Sequence, residues 1–154
     1  MTLSENPAAL KRFRRTPWKF QSTFETPLKN LPAFVLTIAS AGEQWKTGSL
    51  TLELVVFEPR NLIALLERNS IPIRYERGVT LTASGKQEIE DLLCAVLGDW
   101  IDFLFVPEPK SFAIYADHDE FTTLYAQTRS NLNRVVHRLS DKGFKIERDY
   151  KRQL

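Results

Sequence analysis

The chain has 154 residues, 43% of them hydrophobic and 26% charged, with one cysteine and a formal charge of +2. That is the size and balance of one globular domain able to bury about 70% of its unfolded surface. A single thiol excludes an intramolecular disulfide framework and a multi-thiolate zinc site, and no run approaches the roughly 18 uninterrupted apolar residues of a membrane span.

The small net charge hides an asymmetry. Residues 1–30 carry six Lys/Arg against two acids, residues 31–127 seven against fourteen, and residues 128–154 eight against three. A basic–acidic–basic order suits an anionic partner, or two basic ends that pack beside the acidic middle. The modest overall charge favours the second.

In chain order, "SENPAALKRFRR" offers Ser4 or Asn6 as a cap with Pro7 near the first helical position, so a short basic helix is expected. Its basic cluster precedes no apolar run, the wrong order for a secretory signal. With the lone thiol, this points to a reducing, cytoplasmic setting. "WKFQSTF" alternates Trp18, Phe20, Ser22 and Phe24 and reads as a strand. "AFVLTIAS" and "SLTLELVVF" read as two strands of a hairpin joined by the glycine-bracketed "AGEQWKTG". The second places Leu50, Leu52, Leu54 and Val56 on one apolar face.

"EPRNLIALLERNS" sets Leu62, Leu65 and Leu66 at helical spacing, and "IPIRYERGVTLTA" reads as extended with a turn near Gly78. "SGKQEIEDLLCAVLGDW" is the strongest helix, with a capping box predicted from Ser84 and Gln87. It holds Cys94 in an apolar setting, where a buried and inert thiol is expected. "IDFLFVPEP", "SFAIYA" and "FTTLYA" read as strands, "SNLNRVVHRLSDKG" as a helix stopped by Gly143, and "FKIERDY" as a last strand. Hairpins mixed with single helices predict an α+β domain over residues 1–154. It has a mostly antiparallel sheet with about three helices packed on one face. Residues 1–30 form a basic segment packed on it or extending from it.

The densest polar stretch is "DHDE", Asp117, His118, Asp119 and Glu120, between the aromatic runs "SFAIYA" and "FTTLYA". Asp favours turns because its side chain bonds nearby backbone N–H groups, so a hairpin tip accounts for it. Three carboxylates in one loop also suit a hard cation, although the spacing is not that of an EF-hand. His118 and Glu120 with His137 would make a two-histidine, one-carboxylate iron set, but His137 sits on an amphipathic helix. The H-x-E of residues 118–120 lacks the cysteines of a zinc deaminase. Asp99 and Asp102 could join Asp117 and Asp119 in a nuclease-like acidic cluster; otherwise Asp99 ends its helix and Asp102 faces solvent. Neither a nucleophile elbow nor a phosphate-cradling glycine loop occurs, and the residues call for no cofactor.

Three functions follow. A protein that binds, inhibits or adapts a partner protein leads, of the immunity, antitoxin or phage-inhibitor kind. Asp117–Glu120 would then meet a basic surface, and Trp45 would serve as an interface anchor. The alternative is nucleic-acid binding through Lys11, Arg12, Arg14, Arg15 and Lys19, interleaved with Phe13, Trp18 and Phe20, helped by Arg134 and Arg138 at i, i+4. A metal-dependent phosphodiester hydrolase at the 117–120 loop is third.

Overall fold

The computed structural model describes residues 1–41, 44–110 and 112–152. Seven strands form one sheet: β1 (Thr2–Glu5), β2 (Phe20–Glu25), β3 (Thr47–Leu54), β4 (Val79–Ser84), β5 (Asp102–Glu108), β6 (Phe112–Ala116) and β7 (Phe121–Ala126). Five α-helices accompany them: α1 (Ala8–Arg15), α2 (Leu31–Ser40), α3 (Arg60–Arg68), α4 (Gly85–Gly98) and α5 (Arg129–Asp141). The strand order is β1-β4-β3-β5-β6-β7-β2 and every pair is antiparallel. The α+β class and the antiparallel sheet stand, whereas the expectation of about three helices on one face does not.

Alternation along the strands divides the molecule into two cores. Leu50 and Leu52 of β3, Phe103 and Phe105 of β5, and Ile114 of β6 face a large core closed by α2, α3, α4 and α5. Leu104, Ala113, Tyr115 and Tyr125 point the other way and meet Leu10 and Phe13 of α1. Among the described residues there are five α-helices, and α1 packs on the face opposite the other four. Its buried residues are only Leu10 and Phe13 at i, i+3, a stripe too narrow to announce in sequence which face it covers.

The N-terminal segment is not an appendage. It supplies both edge strands, β1 beside β4 and β2 beside β7, with α1 laid across the face between them. Six interstrand steps of ~4.8 Å span about 29 Å. The eight-residue helix, about 12 Å long, and six linker residues at ~3.3 Å each just cover that distance.

Three predicted elements change. "AFVLTIAS" lies in helix α2, not in a strand: Pro32 takes the first turn and the run is buried at Leu31, Phe34, Val35 and Ile38. A short, mostly apolar run has no period to separate a strand from a buried helix. The hairpin predicted from it therefore does not form, and part of its loop, Gly42 and Glu43, lies outside the described residues. "FKIERDY" makes one bridge, Phe24 with Ile146, as it runs along the outer edge of β2. The predicted capping box is also altered. Glu88, not Gln87, reaches back to accept from the Ser84 N–H at 2.7 Å.

Three helices end on a left-handed residue: Ser70 after α3, Trp100 after α4 and Gly143 after α5. In each the following N–H returns to a carbonyl five residues back (Ile71 to Leu66, Ile101 to Val96, Phe144 to Leu139), the Schellman arrangement. Asp99, just before Trp100, is 7% exposed and turned inward. Its carboxylate accepts from the N–H groups of Asn61 and Leu62 at 3.1 and 2.7 Å, capping α3 from the end of α4. Burial pushes its carboxyl upward, opposed by those bonds.

Candidate functional site

The "DHDE" stretch is the turn between β6 and β7, and its four side chains divide. Asp117 is buried and Asp119 and Glu120 are exposed. Asp117 Oδ1 accepts from the Asp119 N–H at 2.9 Å, the Asx bond expected of a turn aspartate, and Glu120 adopts φ +76°. Asp117 Oδ2 pairs with Arg152 Nη1. The two side chains are 9% and 7% exposed. Arg152 also donates to Thr123 Oγ1 at 3.2 Å and lies 4.7 Å from the centre of the Tyr115 ring. One residue read as a polar tip is therefore an internal anchor.

His118 stands at the side of the turn. Asp102 Oδ1 accepts from both its backbone N–H and its Nδ1, each at 2.8 Å. Asp102 is 8% exposed, so it does not face solvent as the sequence suggested. Its hydrogen bond raises the imidazole pKa above the ordinary value, partly offset by desolvation. The sign follows: the His118–Asp102 bond contributes stability fully below about pH 6.5 and loses it as pH rises through the raised value. In an NMR titration His118 is expected to titrate above the ordinary histidine value, and Asp102→Asn to remove the elevation. A midpoint unchanged by that substitution would refute the pairing.

Among the described residues no three His, Cys, Asp or Glu side chains are grouped as metal ligands. His137, the third member of the iron reading, is on the exposed side of α5 and pairs with Asp141 at 3.3 Å. Cys94 is half-buried, and burial pushes its thiol up to about 11, where it is protonated and unreactive near neutral pH.

The basic residues do not converge. Lys11, Arg12, Arg15 and Lys19 are exposed on and just after α1. Arg14, exposed as well, pairs with the largely buried Glu53, whose carboxylate also accepts from the Tyr115 hydroxyl. Arg134 and Arg138 lie on α5, which packs on the opposite face of the sheet through Leu132, Val135 and Leu139; Arg138 donates to the Ser40 carbonyl at 2.9 Å. Each basic end thus sends one arginine, Arg14 or Arg152, to an acid of the middle, the internal neutralisation that the charge asymmetry allowed.

Trp45, expected as an interface anchor, is 5% exposed. Its ring centre lies 5.7 Å from that of Phe105 and 6.5 Å from that of Phe112. It is a core residue, corrected by the rings of β5 and β6 that it meets, which no local pattern around Trp45 reveals.

An exposed apolar surface lies elsewhere, at the end of the sheet that carries the β6–β7 turn. The register between β3 and β5 shifts between Leu52, opposite Phe103, and Leu54, opposite Asp102. One extra residue in β3 reverses the facing of Leu54, after which the strand ends. Leu54, Val56 and Phe57 turn outward, 48%, 47% and 56% exposed, while Val55 packs against the core. Ile73 and Tyr75, on the irregular stretch before β4, are exposed beside them. Leu54, Val55, Ile73 and Tyr75 line a cleft of about 640 Å³ between the two stretches. Among the described residues, seven large apolar side chains are exposed, and five of them are Leu54, Val56, Phe57, Ile73 and Tyr75. The available signal was large apolar residues in "LVVFEP" and "IPIRYERG", where turn punctuation leaves no room for a regular element.

Comparison with protein-family models, with curated proteins and with solved structures finds no match.

Proposed function

We propose that the protein binds a partner protein through the end of its sheet, with Leu54, Val56, Phe57, Ile73 and Tyr75 as the apolar centre. One observation carries the reading: five of the seven large apolar side chains exposed among the described residues lie on the two stretches 54–57 and 73–75, and three of them, Leu54, Ile73 and Tyr75, line a single cleft. Exposed apolar surface gathered in one place, rimmed by charge, marks interaction sites on proteins of this size. The rim includes Glu58, Glu76, Arg74 and Arg77, all at least one-third exposed in their side chains. Leu54 sits opposite Asp102, whose carboxylate holds His118, so the turn bearing Asp119 and Glu120 adjoins the patch. A partner with an apolar ridge flanked by basic groups fits this arrangement, the acidic turn steering the encounter and the patch supplying affinity. Inhibition or adaptation of that partner is the activity we assign.

The test uses single surface substitutions, Phe57→Ser and Tyr75→Ser, in affinity capture from the native host followed by direct binding to the protein captured. Each is expected to weaken binding at least about tenfold, as removal of a hot-spot aromatic does, with the circular dichroism spectrum unchanged. Asp119→Ala should slow association and reduce its salt dependence. Binding that survives both aromatic substitutions but fails in Lys11→Ala/Arg15→Ala would overturn the proposal in favour of the basic helix. The nucleic-acid alternative lacks a joint surface, since α1 and α5 occupy opposite faces. The hydrolase alternative lacks a grouped set of ligands among the described residues.

A further inference from the structure

α1 packs Leu10 and Phe13 over Leu104, Ala113, Tyr115 and Tyr125 on the smaller-core face, and a groove lined by residues of α1, β3 and β5 opens beside it. Its volume is about 550 Å³, within the range of small-molecule sites, roughly 300–1,000 Å³. The floor is Leu104 and Val106 of β5, with Thr47, Ser49 and Thr51 of β3 along one side and Phe13 and Trp18 on the other.

Three features set the chemistry of an occupant. First, the lining is rich in donors. Arg12 and Lys110 both line the groove, and neither meets a carboxylate within ion-pair distance among the described residues, unlike Arg14 of the same helix. Glu108 is the one acid in the lining, so the balance suits a single anionic group. Second, the Trp18 indole N–H is buried and meets no acceptor among the described residues. An unmade hydrogen bond of this kind is costly, about 1–3 kcal/mol; the nitrogen has essentially no accessible surface, so a ligand oxygen would relieve it only by turning the Trp18 ring toward the groove. Third, the rings of Phe13 and Trp18 lie 6.0 Å apart at 48° beside the aliphatic floor, a wall for a flat apolar body. Not every polar group is available. Thr51 is bonded to Thr80 at 3.0 Å and Thr16 to the Arg12 carbonyl at 2.8 Å, which leaves Ser49, Thr47, the indole and the two cations.

We infer that this groove binds a small ligand made of an aromatic ring bearing one anionic group, a phosphate or a carboxylate. The site lies on residues separate from the apolar patch and does not depend on the partner-binding reading.

Adenosine monophosphate, indole-3-acetate and uncharged adenosine serve as probes, followed by the three tryptophan indole N–H resonances. The Trp18 signal is expected to move with at least one anionic probe at millimolar concentration and not with adenosine. Whichever anion binds tighter identifies the group as phosphate or carboxylate. Arg12→Ala/Lys110→Ala changes only exposed side chains and is expected to weaken binding about tenfold, the loss of one charge-assisted contact. Trp18→Phe keeps the ring, removes the donor and should weaken it several-fold. The inference is overturned if neither anion shifts Trp18, if adenosine binds equally well, or if affinity survives the double variant.

Discussion

Gly48→Ala is expected to destabilise the protein by about 2 kcal/mol, the usual penalty for inserting a methyl group into a full core. Glycine in a strand interior normally weakens it, and alanine there gains roughly 0.5–1 kcal/mol. Here the sign reverses for a steric reason. Gly48 lies on β3 between Ala83 of β4 and Pro107 of β5, on the large-core side. A Cβ there would fall 2.3 Å from Cε2 and Cζ of Phe105. That ring is fully buried and backed by Trp45 at 5.7 Å, so it cannot swing aside without moving a second aromatic. Thermal unfolding should show Tm lower by about 4–8 °C for a chain of this length. Phe105→Leu should cost less in the Gly48→Ala background than in the wild type, because the shorter side chain makes room for the methyl. An unchanged or raised Tm for Gly48→Ala would show that the ring relaxes freely.

Where the sequence was legible, one element's period or turn chemistry sufficed. α4 announces itself through Ile89, Leu92, Leu93 and Val96, all buried as the spacing requires, and α5 through Leu132, Val135 and Leu139 with Gly143 behind them. The β6–β7 turn was legible in its aspartates. What failed depended on neighbours. Leu54 continues the alternation of Leu50 and Leu52 without interruption in sequence, yet one inserted residue, set by pairing with β5, turns it to solvent. Trp45 looks like a loop aromatic until Phe105 and Phe112 enclose it. The acidic turn looks uniformly solvated until Arg152, thirty-five residues on, reaches Asp117. The functional surface proposed here was hidden for the same reason, since it begins at a bulge.

Arg152→Ala is expected to destabilise the protein by about 3 kcal/mol, in the range seen when one partner of a buried ion pair is removed. The loss is mostly the cost of what remains. Asp117 keeps one bond, from the Asp119 N–H, but its other oxygen would lie buried with no cation opposite. Neutralising both members should therefore recover most of the loss. Asp117→Asn/Arg152→Leu is expected within about 1 kcal/mol of the wild type, since replacing a buried pair by groups of similar volume is often neutral. Urea unfolding of the four proteins closes the double-mutant cycle, with an expected coupling of at least about 1 kcal/mol, as for residues in direct contact. The pair should also resist salt, because charges this enclosed are screened far less than surface ones. A cost for Arg152→Ala below about 0.5 kcal/mol, the level of an exposed pair, would mean that the C-terminal stretch does not hold the turn. Asp117 would then rejoin Asp119 and Glu120 as a solvated hairpin tip, and the acidic side of the proposed partner site would carry one more charge.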